Sequence, residues 1–176
     1  MNVGTRNGDL WMTPTWVLDL AREVMGDIDL DPASSALANT RVRAARYYTK
    51  EGGSLARPWR HPSGKPQSIW LNPPFSKVGG VSQVAPFLAR MQEEWDAGRL
   101  GEGMLLTNVS TSAAWFKDMW PHHLCFFTKR LHFTHPDPQV QDSPRYDNVL
   151  AYWGYNPGTF HRVFSPWGHI VTPRKM

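Results

Sequence analysis

The chain has 176 residues, a formal net charge of +4 at pH 7 and a pI near 9.4, and this length suits one domain with its own core. The slight basic excess favours a polyanionic partner, and no apolar run approaches the roughly 20 residues that span a membrane. The single cysteine, Cys125, cannot form an internal disulfide, which indicates a reducing compartment. We therefore expect a single cytoplasmic domain over residues 1–176.

The first predicted helix follows Thr13 and Pro14. Thr13 suits the N-cap and Pro14 the first helical position. Apolar residues recur behind them at helical spacing until Gly26 ends the helix. Residues 27–31 are then predicted to form the first strand.

Asp31 and Pro32 repeat this start signal, because an N-cap residue again precedes a first-position proline. They predict a short helix through residues 33–39, whose N-terminus has free N–H groups and positive partial charge. Such an end receives a carboxylate, while Asp31 can pair with an ammonium group. A second strand is predicted over residues 44–48, within a basic stretch that extends from residue 40 to residue 65.

Residues 68–71 are apolar or β-favouring and predict a buried strand that stops at two prolines. Pro73 and Pro74 have no N–H groups and hold the preceding residues extended. This proline corner (residues 72–75) offers the Asn72 amide oxygen and the Pro73 carbonyl to one amino group, and the Phe75 ring can stack on a base. Ligands bind at such carboxyl ends of strands in open α/β sheets. The alternative is a plain Pro-Pro turn with Phe75 in the core.

The rest of the chain alternates between helices and strands. A flexible loop with paired glycines is expected over residues 76–80. The elements predicted after it are a helix from Val84, a turn over residues 98–103, strands over residues 103–109, 124–128 and 148–155, and a helix over residues 110–120. This alternation predicts a three-layer α/β sheet of mostly parallel strands. The long polar segment at residues 134–147 separates the last two strands, and loops of this length in a compact domain are usually functional or disordered.

Several histidines lie near the predicted strands. They lack the cysteine or carboxylate partners that metal sites have, so we expect no metal. These histidines are His122, His123, His132 and His135.

Three motifs together resemble one family. The sequence Asn-Pro-Pro-Phe at residues 72–75 is similar to the catalytic motif of amino-methyltransferases. Upstream, Trp-Met-Thr-Pro at residues 11–14 and Asp-Leu-Asp-Pro-Ala-Ser at residues 29–34 have the order and spacing of the small phage-type DNA N6-adenine methyltransferases, the phage Dam family. The resemblance covers most of the chain. It implies a class I methyltransferase (Rossmann-like) sheet with an antiparallel last strand, S-adenosylmethionine as cofactor, a flipped adenine in duplex DNA as substrate, and a phage or prophage origin.

The resemblance also implies a role for individual residues. The catalytic residues would be Asn72, Pro73, Pro74 and Phe75. Cofactor binding is implied for Trp11, Thr13, Pro14, Asp29, Asp31, Pro32 and Ser34, and for Glu51, the only acid near the end of the second strand, where the fold binds the cofactor ribose. DNA contacts are expected from Lys77, Lys129, Arg130 and Arg145, the last three within an insertion at about residues 129–147.

Other substrates remain open on the sequence alone. A methyltransferase of the same fold can act on cytosine N4, on adenine in RNA or on a protein glutamine, and nothing in the chain excludes cytosine. A catalytically silent DNA-binding or anti-restriction module is the alternative from a different functional class. The intact proline corner argues against it.

Overall fold

The structure is a computed structural model that describes residues 11–137, 139–140 and 146–173. Its strands are β1 (Leu30–Asp31), β2 (Arg46–Tyr47), β3 (Gln67–Leu71), β4 (Lys77–Val78), β5 (Val81–Ser82), β6 (Leu100–Asn108), β7 (His123–Phe127), β8 (Asn148–Trp153) and β9 (Gly168–Val171). Its α-helices are α1 (Thr15–Met25), α2 (Ala36–Val42), α3 (Val84–Asp96) and α4 (Pro157–Phe164), and short 3-10 helices lie at Lys50–Gly52, Ser54–Ala56 and Ala114–Met119.

The main sheet has the strand order β2-β1-β3-β6-β8-β7-β9. Strand β1 pairs in parallel with β2 and β3, and β3 pairs in parallel with β6. Strand β8 lies antiparallel to both β6 and β7, and β9 lies antiparallel to β7. Only β8 and β9 therefore run against the common direction among the described strands of this sheet. The predicted α/β class with a largely parallel sheet is confirmed, whereas α4 and β9 were not predicted.

Side chains alternate between the two faces of the sheet, and each face has its own apolar core. On β3, Trp70 points into the core covered by α1 and α4, while Ile69 and Leu71 point into the core covered by α3 and the 3-10 helix at Ala114–Met119. On β6, Met104 points into the core covered by α1 and α4, and Leu105 points into the core covered by α3. Helix, sheet and helix thus form three layers, as the alternation of elements predicted.

Two of the predicted helix caps are wrong. Helix α1 begins at Thr15 with Pro14 at its N-cap, and no side chain caps it, because the Thr13 hydroxyl is engaged with Asn72. Helix α2 begins only at Ala36, and its N-cap is Ser35, whose hydroxyl accepts from the N–H of Ala38.

Three connections also differ from the prediction. The expected flexible loop after the proline corner is a β-hairpin of β4 and β5, whose turn residues Gly79 and Gly80 have φ of 56° and 82°; two positive φ values match a tight hairpin turn. The turn before β6 needs only Gly98, so β6 begins at Leu100. The helix predicted over residues 110–120 is a 3-10 helix that begins at Ala114. Within the described ranges, no helix is both long and apolar enough to cross a membrane.

Candidate active site

A cavity of about 1120 Å³ lies where the parallel strands end. Asp31 ends β1, Asn72 follows β3 and Asn108 ends β6, and all three residues line the cavity. Parallel strands bring their carboxyl ends to one edge of the sheet, so residues far apart in sequence meet there. This is the edge at which the sequence predicted a ligand site.

The proline corner is one wall of this cavity. The Asn72 amide nitrogen donates a hydrogen bond to the Thr13 hydroxyl over 3.1 Å. The Asn72 Oδ1 atom is buried and has no hydrogen-bond partner within the described part of the chain. A buried acceptor without a partner is unfavourable by about 1–3 kcal/mol, which favours a ligand that donates a hydrogen bond to this oxygen. Beyond it, the ring of Phe75 meets that of Phe133 edge to face, with centroids 6.0 Å apart.

Asp31 is the acid of the site. Its side chain is buried, and its carboxylate accepts the N–H of Ala33 over 3.1 Å. Burial raises the pKa of Asp31 to about 7, although the hydrogen bonds from Ala33 and Ser34 lower it. Near neutral pH the Asp31 carboxyl is therefore present in both its protonated and its ionised form, and a nearby cation would favour the ionised form.

The segment at residues 131–135 closes the other side of the cavity. Its Thr134 backbone pairs with that of Met12 through two hydrogen bonds of 2.9 and 3.1 Å, and its Thr134 hydroxyl accepts from Arg41 of α2. The His135 ring contacts the ring of Trp11 edge to face. These contacts join three distant parts of the sequence around one space.

Most of the predicted site residues meet in this cavity. The ones that line it are Trp11, Thr13, Asp31, Pro32, Ser34, Asn72, Pro73, Pro74 and Phe75. Pro14 does not line it and instead caps α1.

Two further predicted cofactor contacts, Asp29 and Glu51, also do not line the cavity. The Asp29 carboxylate joins β1 to β3 instead: it accepts from the N–H of Ser68 over 2.9 Å and lies 3.9 Å from the Lys65 ammonium. Glu51 is exposed on the 3-10 helix at Lys50–Gly52.

Three of the predicted DNA-binding residues, Lys77, Lys129 and Arg130, do not line the cavity. Lys77 is exposed on β4, and Lys129 and Arg130 are exposed after β7. The Arg130 guanidinium pairs with the Asp147 carboxylate over 3.0 Å. Arg145 lies outside the described residues, so its position is not described.

Sequence reasoning missed several lining residues, namely Arg41, Ser54, Asn108, Phe133 and Asn148. The two asparagines carried a usable signal, because Asn108 stands at the carboxyl end of a predicted strand beside β3, where ligands bind. Nothing in the sequence distinguished Arg41, because it is one of many basic residues between residues 40 and 65.

Two of the histidines near the strands, His122 and His123, have side-chain partners. His122 Nε2 lies 2.9 Å from the Gln92 side-chain oxygen, and His123 Nδ1 lies 2.9 Å from His161 Nε2. In the ranges that the structure describes, no three His, Cys, Asp or Glu side chains are grouped so that they could hold a metal ion.

Comparison with known proteins identifies a family. Residues 1–149 match the family model described as DNA N-6-adenine-methyltransferase (Dam). A relative with that name from Escherichia phage T1 is 38% identical over 69 residues, which make up 39% of this chain and 26% of the relative. The matched part is thus about a quarter of the relative's length. No solved structure matches the chain.

Proposed function

The chain belongs to the DNA N-6-adenine-methyltransferase (Dam) family, and on that basis we propose that it transfers a methyl group from S-adenosylmethionine to the N6 amine of adenine in DNA. The observation that carries this proposal is the buried, unpartnered Asn72 oxygen in a cavity that Asp31 and Thr13 also line. We further propose that the sheet is of the class I methyltransferase (Rossmann-like) type, since its order and directions fit that arrangement.

The charged side chains that line the cavity suit the cofactor. The methionine end of S-adenosylmethionine has an ammonium and a carboxylate, and the described cavity wall contains the acid Asp31 and the cations Arg41 and Lys50. Apolar side chains of Trp11, Leu18 and Val42 line the space around them. When bound, the cofactor supplies a methyl group on a positively charged sulfur. Asp31 and Arg41 would hold its amino-acid end through opposite charges.

The proline corner would act on the base. The amine of adenine is a weak nucleophile because its lone pair is delocalised into the ring. The Asn72 Oδ1 and Pro73 carbonyl oxygens each accept one of its two N–H groups, which localises the pair on nitrogen. Phe75 holds the ring by stacking, with Phe133 behind it. Positioning of this kind accounts for the rate enhancement that we propose.

The transfer itself is direct. A bond forms between N6 and the methyl carbon as the bond between that carbon and sulfur breaks, and one N6 proton then leaves to solvent. No strong base is required, since the methylated amine is acidic until it loses this proton. The adenine must first leave the base stack, because its amine is unreachable inside a duplex. We propose that Lys77, Lys129, Arg130 and Arg145, with the segment at residues 129–147, contact the DNA backbone.

The reaction can be tested directly. DNA that lacks adenine methylation is incubated with the protein and labelled S-adenosylmethionine, digested to nucleosides and analysed by mass spectrometry. We expect labelled N6-methyldeoxyadenosine. Label on cytosine N4, or none in DNA, would contradict the proposal.

A variant at the proline corner tests the mechanism. Asn72→Ala should reduce methylation by about a hundredfold or more, because the amine loses one of its two acceptors, while binding of the cofactor measured by calorimetry persists. Asn156→Ala is the matched control, since Asn156 is exposed at the start of α4 and does not line the cavity. Near-normal activity of Asn72→Ala would refute the assigned role.

A further inference from the structure

Asn108 and Asn148 form an amide pair at the edge of the cavity that the proposed mechanism does not use. They are partners in the register of β6 and β8, and the Asn148 amide nitrogen donates to Asn108 Oδ1 over 3.1 Å. Asn148 is 2% exposed, and its own Oδ1 has no hydrogen-bond partner within the described ranges. Both residues line the cavity.

The hydrogen bond between the two amides decides what each one presents. Because Asn108 Oδ1 already accepts from Asn148, the Asn108 amide nitrogen is the group left for a ligand. Asn148 donates through its amide nitrogen, so its Oδ1 remains without a partner among the described residues. The pair therefore offers the Asn108 N–H groups to the cavity, and an N–H donor matches an acceptor nitrogen on a base edge.

The strand order places this amide pair on the side of the cavity away from Asp31. Along the carboxyl edge of the sheet the order is Asp31 on β1, Asn72 after β3, Asn108 on β6 and Asn148 on β8. The proline corner thus separates the proposed cofactor half from the half that contains the amide pair. Phe133 and the exposed Tyr146 also line the cavity, and aromatic rings of this kind stack on bases.

The distance across this half suits one base. Leu71 pairs with Leu105 in the register, so Asn72 lies one residue beyond that pair and Asn108 three residues beyond it. With a rise of about 3.3 Å per residue and strands about 4.8 Å apart, the Asn108 backbone is about 8 Å from that of Asn72, and the Asn148 backbone is about 12 Å away. A base with its amine at Asn72 has its opposite ring edge facing the amide pair.

We propose that this amide pair binds the ring edge of the flipped adenine opposite N6 and so helps to select the base. Asn108 donates to N3, the ring nitrogen on that edge. Asn148 fixes the orientation of the Asn108 amide, and its Oδ1 accepts from a bridging water. This inference rests on the proposed function, because it assumes an adenine at the proline corner.

The test uses adenine analogues that lack one ring nitrogen. The methylated sequence is first read from DNA treated with the wild-type protein, and duplexes are then made with 1-deaza-, 3-deaza- or 7-deazaadenine at the target. We expect the wild type to lose about five- to a hundredfold in kcat/KM on the one analogue that lacks the contacted nitrogen. Asn108→Ala should lose a similar factor on adenine and nothing further on that analogue, because the same contact is removed twice. Asn148→Ala should show the same pattern with smaller losses.

Thr107→Val is the matched control. Thr107 lies next to Asn108 on β6, is buried and also has an unpartnered side-chain oxygen, but it does not line the cavity. We expect it to leave kcat/KM on every substrate within about twofold of wild type, the scatter of ordinary neutral substitutions. All variants should bind S-adenosylmethionine as the wild type does, which shows that they are folded. If Asn148→Ala does not fold, Asn148→Ser replaces it.

Two results would overturn the inference. One is unchanged kcat/KM in Asn108→Ala. The other is an equal loss on adenine and on all three analogues, which would show that the asparagines only support the strand ends. Failure of the proposed function is distinguishable, because in that case the wild type would not methylate adenine in any duplex.

Discussion

Asn72 is held by one side-chain hydrogen bond, and that bond decides which end of its amide a ligand meets. The amide nitrogen donates to Thr13, which leaves Oδ1 buried and without a partner among the described residues. If the amide were reversed, the amine of a base would meet the Asn72 amide nitrogen, a second donor, in place of an acceptor. Thr13 therefore acts on the proposed reaction through Asn72, from a segment 59 residues earlier in the chain.

Binding of the cofactor should depend on pH through Asp31. Burial raises the pKa of Asp31 to about 7, whereas its ionised form is the one that pairs with an ammonium group. Below pH 7 binding must release a proton, so the affinity should fall by about tenfold for each pH unit between pH 7 and pH 5.5. Calorimetry in buffers of different ionisation enthalpy measures both the affinity and the proton release.

Asp31→Asn is the control for this dependence. It cannot ionise, so it should bind the cofactor weakly at every pH in this range and without proton release. An affinity of the wild type that is constant from pH 7 to pH 5.5 would show that Asp31 does not pair with the ammonium group.

At the scale of elements, the hairpin of β4 and β5 follows directly from the proline corner. It forms a two-stranded sheet of its own rather than part of the main sheet. Its exposed strands present Lys77 and the facing valines Val78 and Val81, each 66% exposed. An exposed hairpin that directly follows the proline corner fits the contact with DNA that we propose for Lys77.

Replacement of Gly79 should separate the function of the hairpin from the stability of the fold. Gly79 has φ of 56°, a value that a β-branched residue adopts only with strain. Gly79→Val should therefore lower kcat/KM for DNA about tenfold, while the melting temperature changes little because the hairpin lies outside the main sheet. Steady-state kinetics and thermal unfolding provide the two measurements.

Gly79→Asn is the matched control, since asparagine tolerates positive φ at this turn position. It should retain the activity of the wild type. If Gly79→Val and Gly79→Asn were equally active, the geometry of the turn would not matter for DNA binding.

At the scale of the whole molecule, two buried titrating groups act on stability in opposite directions. Burial lowers the pKa of His122 to about 4, at the edge of the sheet opposite the cavity, where its ring stacks on Trp153. The unfolded state then binds the extra proton at acid pH, so His122 makes the fold less stable as pH falls below about 6.5. Asp31, with its raised pKa, binds a proton more tightly in the fold and makes it less stable as pH rises from about 4 to 7.

Asp31→Asn should show how much Asp31 contributes to the pH dependence of the free energy of unfolding. Its unfolding free energy, compared with that of the ligand-free wild type, should rise by up to about 1.4 kcal/mol per pH unit between pH 4 and pH 7 and then level off. Urea unfolding at a series of pH values measures the difference. The difference between Thr107→Val and the wild type should not vary with pH, because that substitution changes no charge. A difference for Asp31→Asn that does not grow with pH would refute the assigned pKa.

The sequence by itself determined the local features. Prolines at fixed spacing ended β3 and made the proline corner, and the period of apolar residues predicted α1, α3 and most strands of the sheet. These features depend on residues close together in the chain, so composition and spacing are sufficient to predict them. For the same reason the motifs at residues 11–14, 29–34 and 72–75 were recognised.

Only the tertiary structure decided which side chains meet. Asp29 and Asp31 are two residues apart in one motif, yet Asp31 lines the cavity and Asp29 joins β1 to β3. The bond from Asn72 to Thr13 replaced a predicted helix cap. Asn148 came beside Asn108 because β8 pairs with β6. Strand order and register set these contacts, and both result from the packing of the whole chain, which no local pattern contains.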